Sequence, residues 1–123
     1  MRIIFADGHD NFRKVVVEIL RDEGHEVHPV ALGGQLVSTA RRVFADVIVT
    51  HVRFEDMSTL EALELLAAVG VRVPTILMSG EVRSISHDEA RHLGVVGYLE
   101  KPFAMTDLRA ALRGALHFTD IAI

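Results

Sequence analysis

Short apolar runs alternate with longer segments whose apolar residues recur at helical spacing, five times along the chain. Arg2-Ile3-Ile4-Phe5-Ala6 reads as the first strand. A helix follows from about Asp10 to Glu23, with Phe12, Val15, Val16, Ile19 and Leu20 on one face and Gly24 as its stop. Glu26 to Val30 gives a second strand, ended by Pro29 and the Gly33-Gly34 pair. Leu36, Val37, Ala40, Val43 and Phe44 mark a second amphipathic helix. Val47-Ile48-Val49-Thr50 has the unbroken apolar character of a buried strand, and His51 ends it. Ser58 and Glu61 stand at capping-box spacing and start a helix through Leu66 to Gly70. Val73 to Met78 is the fourth strand. Ser86 and Glu89 repeat the capping pattern for a short helix ending at Leu93-Gly94. Val95 to Leu99 is the fifth strand, and Thr106 is expected to cap a last helix carrying Leu108, Ala111, Leu112, Ala115 and Leu116.

Strands alternating with helices across short loops imply an α/β fold, a parallel sheet covered on both faces with right-handed crossovers. A chain of 123 residues fits one domain with a real core, expected over residues 1–118 with a short tail at 119–123. Half the residues are hydrophobic, which excludes a disordered chain. A net charge of −4 offers no general attraction to nucleic acid or to an anionic membrane, so neither is expected as a partner. There is no cysteine, hence no disulfide framework and no thiolate metal site, which agrees with a reducing cytoplasm. No apolar run approaches the ~18 residues of a membrane span, and the N-terminus lacks a signal-peptide pattern, so a soluble cytoplasmic protein is expected.

Ligands of open parallel sheets bind at the carboxyl ends of the strands, so His51 draws attention. Several roles fit it: a structural imidazole hydrogen-bonded to Ser79 or a backbone group, a pH-responsive group, a phosphohistidine, or, with Asp7 and His9, a transition-metal ligand. Arg41, Arg42, Arg109 and Arg113 fall on helix surfaces and read as solvated faces.

Nearly the whole chain, from Arg2 to about Leu116, resembles the receiver domain of two-component response regulators. Ala6-Asp7-Gly8-His9-Asp10-Asn11-Phe12-Arg13 is similar to the Ala-Asp-Asp-His-x-x-Phe-Arg opening of many members, and Gly24-His25-Glu26-Val27 to the entry into strand two. Pro74-Thr75-Ile76-Leu77-Met78-Ser79-Gly80 matches strand four and its switch hydroxyl. The most specific match is Gly94-Val95-Val96-Gly97-Tyr98-Leu99-Glu100-Lys101-Pro102-Phe103, because aromatic, lysine and proline all fall at the family's spacing. The resemblance implies a flavodoxin-like (βα)5 sandwich with strand order 2-1-3-4-5, a cis Lys101-Pro102 bond, and switch roles for Ser79, Tyr98 and Lys101. It also implies partners: a histidine kinase, an output domain in the same longer chain, or a second copy through the surface of helix four, strand five and helix five.

The departures fall on the phosphoryl chemistry. The family pairs two acids after strand one to hold Mg²⁺; here Asp7 remains and Gly8 replaces the second. His51 stands where the acceptor aspartate is expected. Phe54-Glu55-Asp56 replaces a usual Met-Pro-Gly stretch, and Ser58-Thr59 an Asp-Gly. Mg²⁺ needs hard oxygen ligands, and without it one lysine alone would neutralise a transferring phosphoryl group. The expectation is therefore a pseudo-receiver: no enzyme, no cofactor, at most weak Mg²⁺ binding by Asp7, with Asp7 paired to Lys101. Two alternatives remain. The acceptor could move to Asp56 or Glu55. Asp7-Gly8-His9-Asp10 is also similar to the opening of cobalamin-binding domains, though Phe12 stands in place of their glycine. A dinucleotide site is weaker still, since the first turn lacks the G-x-G-x-x-G fingerprint.

Overall fold

Every apolar run becomes a strand and every periodic segment a helix, in strict alternation. In the computed structural model, which describes residues 1–80 and 86–122 with side chains through residue 117, the strands are β1 (Arg2–Ala6), β2 (Glu26–Val30), β3 (Val47–His51), β4 (Thr75–Ser79) and β5 (Val95–Glu100). The helices are α1 (Asp10–Asp22), α2 (Gly33–Arg42), α3 (Thr59–Ala68), α4 (His87–His92) and α5 (Met105–Ala122). All strand pairs are parallel, in the order β2-β1-β3-β4-β5.

Alternation along the central strands sorts the core into two layers, as a sheet buried on both faces requires. Ile3, Phe5, Val47, Val49, Ile76 and Met78 pack with Val16, Val17 and Leu20 of α1 and Leu108, Leu112 and Ala115 of α5. Ile4, Ala6, Ile48 and Leu77 pack on the other face with Leu36 and Ala40 of α2, Ala62, Leu63 and Leu66 of α3, and Ala90 of α4. Ser58 and Ser86 cap α3 and α4 as their spacing predicts, each accepting the amide three residues on, Glu61 and Glu89. Gly24, Gly70 and Gly94 follow the ends of α1, α3 and α4 with positive φ, the conformation that a helix-terminating glycine adopts without steric cost.

Several boundaries differ from the sequence reading. Pro29 lies inside β2 instead of ending it, which an edge strand tolerates because proline only removes an outward donor. Gly33 and Gly34 open α2 instead of forming a loop, and that helix stops at Arg42, leaving Phe44 outside it and 92% exposed. Val15 and Leu116, expected on buried faces, are about half exposed, because the strip of each helix that meets the sheet is narrower than the apolar pattern. β4 starts at Thr75, after Pro74. Thr106 is not the cap of α5: the helix begins at Met105, and Asp107 reaches back to the amide of Ala104 at 3.1 Å. The same helix runs on to Ala122, where a tail was expected.

The outer rim of β2 is blunted. Glu26 and Val30 face β1, since the Glu26 amide donates to Met1 and the Val30 carbonyl accepts from Asp7. Strand alternation then turns the backbone of Val27 and Pro29 outward. The guanidinium of Arg21 donates to the Val27 carbonyl at 2.8 Å, and Pro29 has no N–H to offer.

Candidate functional site

The carboxyl ends of β1, β3, β4 and the turn after β5 bring Asp7, His51, Ser79 and Lys101 to one edge of the sheet. Asp7 is fully buried. Its Oδ2 accepts from Lys101 Nζ at 2.7 Å, and its Oδ1 from the His9 amide at 2.8 Å, with the His9 ring 3.3 Å away. Burial alone would push the Asp7 carboxyl up. The hydrogen bonds from Lys101 and His9, with the charges of Lys101 and His51, outweigh it and hold the group below its ordinary range. Lys101 is fixed from a second side by the ring of Phe12, whose centroid lies 4.1 Å from Nζ, within cation–π range. Phe103 meets Phe12 edge-on, so the turn after β5 also packs against α1.

The cis Lys101-Pro102 bond is present as the resemblance implied. The Lys101 amide donates to the Ser79 carbonyl at 3.1 Å, tying that turn to the end of β4, and the Ser79 side chain is buried. Tyr98 does not join this group. It is half-buried and stacks on His87 of α4, ring centroids 4.5 Å apart and planes 19° from parallel. Burial pushes its phenol up, against the opposing charge of Arg91.

Of the hydrogen-bond partners expected for His51, the structure uses the backbone. Its Nδ1 lies 2.9 Å from the Arg53 carbonyl and 3.4 Å from the Arg53 amide, so the ring folds back onto the backbone two residues on. The carbonyl of His51 receives two hydroxyls: Thr50 Oγ1 at 2.9 Å and Thr59 Oγ1, which are themselves 3.2 Å apart. The Arg53–Ser58 bridge and the Phe54 amide on the Met57 carbonyl close the following loop, with Phe54 buried in the α2–α3 layer. The residues that departed from the family pattern after His51 thus act together: Phe54 fills core, and Thr59 anchors the backbone of His51.

Asp56 has a role that the sequence reading missed. Its two oxygens accept the amides of Gly33 and Gly34, each at 2.9 Å, which closes the start of α2 from a different loop. These bonds hold its carboxyl below the ordinary range although the side chain is exposed. A signal was there to be read. Leu32, at the N-cap position, offers no acceptor, so the orphan donors of α2 had to be met from elsewhere.

An open cleft of about 630 Å³ lies over this edge, lined by Gly8, His9, Asp10, His51, Arg53 and Glu55 among others. Gly8 is exposed, and a Cβ there would meet only the Ala31 carbonyl at 3.7 Å, an ordinary contact. Among the described residues no three His, Cys, Asp or Glu side chains are grouped to hold a metal ion, so Asp7, His9 and His51 do not form one site. The one buried carboxylate at this edge, Asp7, is taken up by Lys101 and the His9 amide, and the other carboxylates of the cleft, Asp10 and Glu55, are exposed, a poor fit to the compact oxygen shell of Mg²⁺. Helix surfaces hold the arginines largely as expected. Arg109 pairs with Glu23 through two contacts at 2.8 and 2.9 Å. No helix among the described residues is long and apolar enough to cross a membrane.

Comparison with known proteins gives a consistent picture. Residues 3–113 match the family model described as the response regulator receiver domain. Regulatory protein AtoC of Escherichia coli K12 is 27% identical over 115 residues, 94% of this chain and 25% of its own length. Vibrio cholerae CheY4, a chemotaxis response regulator, superposes with a TM-score of 0.83 at 25% identity, covering 94% of this chain and 98% of that one. The receiver domain of sensor histidine kinase PA1611 of Pseudomonas aeruginosa, solved with magnesium in its active-site cleft, gives 0.82 at 26% identity over 94% and 97%. The chain spans between 25% and 56% of the length of the curated relatives it matches.

Proposed function

Because this chain belongs to the response regulator receiver family, we propose that it serves two-component signalling as a contact module that works without aspartyl phosphorylation. One observation carries this reading. The buried carboxylate left at the strand ends is neutralised by Lys101 at 2.7 Å, and His51 replaces the expected acceptor with an imidazole folded onto the Arg53 carbonyl. A receiver needs its lysine to meet incoming phosphoryl oxygens and its carboxylates to hold the metal that screens them. Here the lysine already has a partner, and Gly8 supplies no carboxylate. The partners in this reading are cytoplasmic signalling proteins, a histidine kinase or an output domain of a longer chain. Binding then regulates through differential affinity for two states of the domain. Homodimerisation through α4, β5 and α5 is one form that contact can take.

The alternative acceptor Asp56 has less in its favour, since both its oxygens are engaged at the start of α2. Intact mass after treatment with a small phosphodonor tests it, and a gain of one phosphoryl group lost in Asp56→Asn would establish it. The main reading is tested by backbone amide NMR during titration with Mg²⁺ and then beryllofluoride, beside the Gly8→Asp/His51→Asp double variant. The expected result is a silent native protein and a variant that responds around residues 7, 51, 79 and 101. A native protein that shifts at those same amides overturns the proposal.

A further inference from the structure

A helix that covers one face of a sheet normally turns polar residues outward, and α2 does so: its exposed positions are Gly34, Gln35, Ser38, Arg41 and Arg42. α3 departs from that rule. Its exposed positions are Glu61, Glu64, Leu65, Ala67 and Ala68, and Val69 continues them past the last turn. Leu65 and Val69 keep 52% and 53% of their surface in solvent, and with Glu61 they stand at four-residue steps on one face of the helix. The inner side of α3 is already taken up by the core, through Ala62, Leu63 and Leu66. A helix that is apolar on its outer side as well has a second surface to cover.

The start of that face is an open cleft of about 380 Å³, lined by Asp56 and Met57 from the loop after β3 and by Glu61, Glu64 and Leu65 of α3. Its charge is of one sign. The chain carries no lysine, arginine or histidine from Phe54 to Val71, and Asp56, Glu61 and Glu64 form no ion pair with any described residue. The positive end of the α3 dipole accounts for an acid in the first turn, at Glu61. It has faded by Glu64, and it explains neither Leu65 nor Val69. We propose that the outer face of α3 is a docking site for a basic amphipathic helix of a partner protein. Lys or Arg side chains of that helix lie over Asp56, Glu61 and Glu64, and its apolar residues pack on Met57, Leu65 and Val69. Charge complementarity selects this occupant, because an acidic segment or an anionic membrane surface is repelled by the same three carboxylates. The cleft shares no lining residue with the one over His51, so the contact holds whether or not position 51 takes a phosphoryl group.

The test is amide NMR of the whole chain titrated with a synthetic amphipathic helix of Leu and Arg, beside a scrambled peptide of the same composition. The expected result is saturable binding with a Kd of about 100 µM or tighter, weakened by salt, with shifts confined to residues 56–69. The scrambled peptide should bind at least tenfold more weakly. These amides are distinct from residues 7, 51, 79 and 101, which report on phosphoryl chemistry, so the two readings fail separately. Leu65→Glu adds an acid while removing an apolar contact, and it should weaken binding at least tenfold with unchanged circular dichroism. Glu61→Gln/Glu64→Gln, at exposed positions, should also weaken binding and flatten its salt dependence. No saturation by about 1 mM peptide, equal binding of the scrambled peptide, shifts spread over other acidic surfaces, or binding that survives Leu65→Glu overturns the proposal. Amides 56–69 that shift on dilution of the chain alone overturn it in favour of a second copy.

Discussion

The carboxylate of Asp56 accepts the amide of Gly33 at 2.9 Å, joining the loop after β3 to the first turn of α2 across 23 positions of sequence. With its second bond to Gly34, it serves as that helix's missing N-cap and its negative charge meets the positive end of the helix dipole. Asp56→Ala should lower the stability of the fold, as losing an N-cap does. Urea unfolding measures it, and a change within error would show that the bond is screened to nothing.

Gly33 is also where α2 approaches that loop most closely. A Cβ there would collide with the side chain of Met57. Gly33→Ala should therefore destabilise by about 1–3 kcal/mol, as overpacking does, even though alanine is the better helix former. Adding Met57→Ala should recover part of the loss through the space it opens. Equal losses in the single and double variants would sink this account.

The ion pair of Asp7 and Lys101 should be visible in acid. The folded pKa of Asp7 lies below its ordinary value of 3.8. Its stabilising contribution is therefore present above that value and lost as pH falls through the lower folded one. Asp7→Asn should cost about 1–3 kcal/mol at neutral pH by leaving Lys101 without its counter-charge, and progressively less at acid pH. Unfolding free energies of both proteins across the acid range provide the comparison. A constant difference would place the effect in packing, not in charge.

Removing both ends of the pair should hurt less than removing one. Asp7→Asn/Lys101→Met leaves no unpaired charge beneath the turn and keeps a side chain against Phe12. A double variant at least as unstable as Asp7→Asn alone would contradict this.

The stack of His87 on Tyr98 can be followed without a label, because Tyr98 is the chain's single tyrosine and there is no tryptophan. His87→Ala should weaken the tyrosine band in near-ultraviolet circular dichroism while far-ultraviolet signal holds. An unaltered band would mean that β5, not α4, orients the ring.

What could be read ahead of the structure was whatever depended on near neighbours in sequence. Ser58 and Ser86 cap their helices because donor and acceptor are three residues apart. The Asp7–Lys101 pair spans 94 positions, yet the family's spacing around Tyr98, Lys101 and Pro102 made it legible. Asp56 was weighed only as a phosphoryl acceptor, because the amides it serves lie in a different part of the chain. Phe44 was misplaced because its apolar character fits the period of α2, while the helix ends at Arg42. Thr106 looked like a cap by residue type. The acceptor used is Asp107, reaching backward, a direction that a forward scan for caps does not test.

The blunted rim of β2 also bears on how copies of this chain can meet. An open strand is a template: a like strand can add to it, and another to that, with no limit set by geometry. Arg21 occupies one outward carbonyl and Pro29 deletes one outward donor, so growth along this border cannot propagate in register. At this border of the sheet, then, copies cannot line up strand beside strand and lengthen into a fibre.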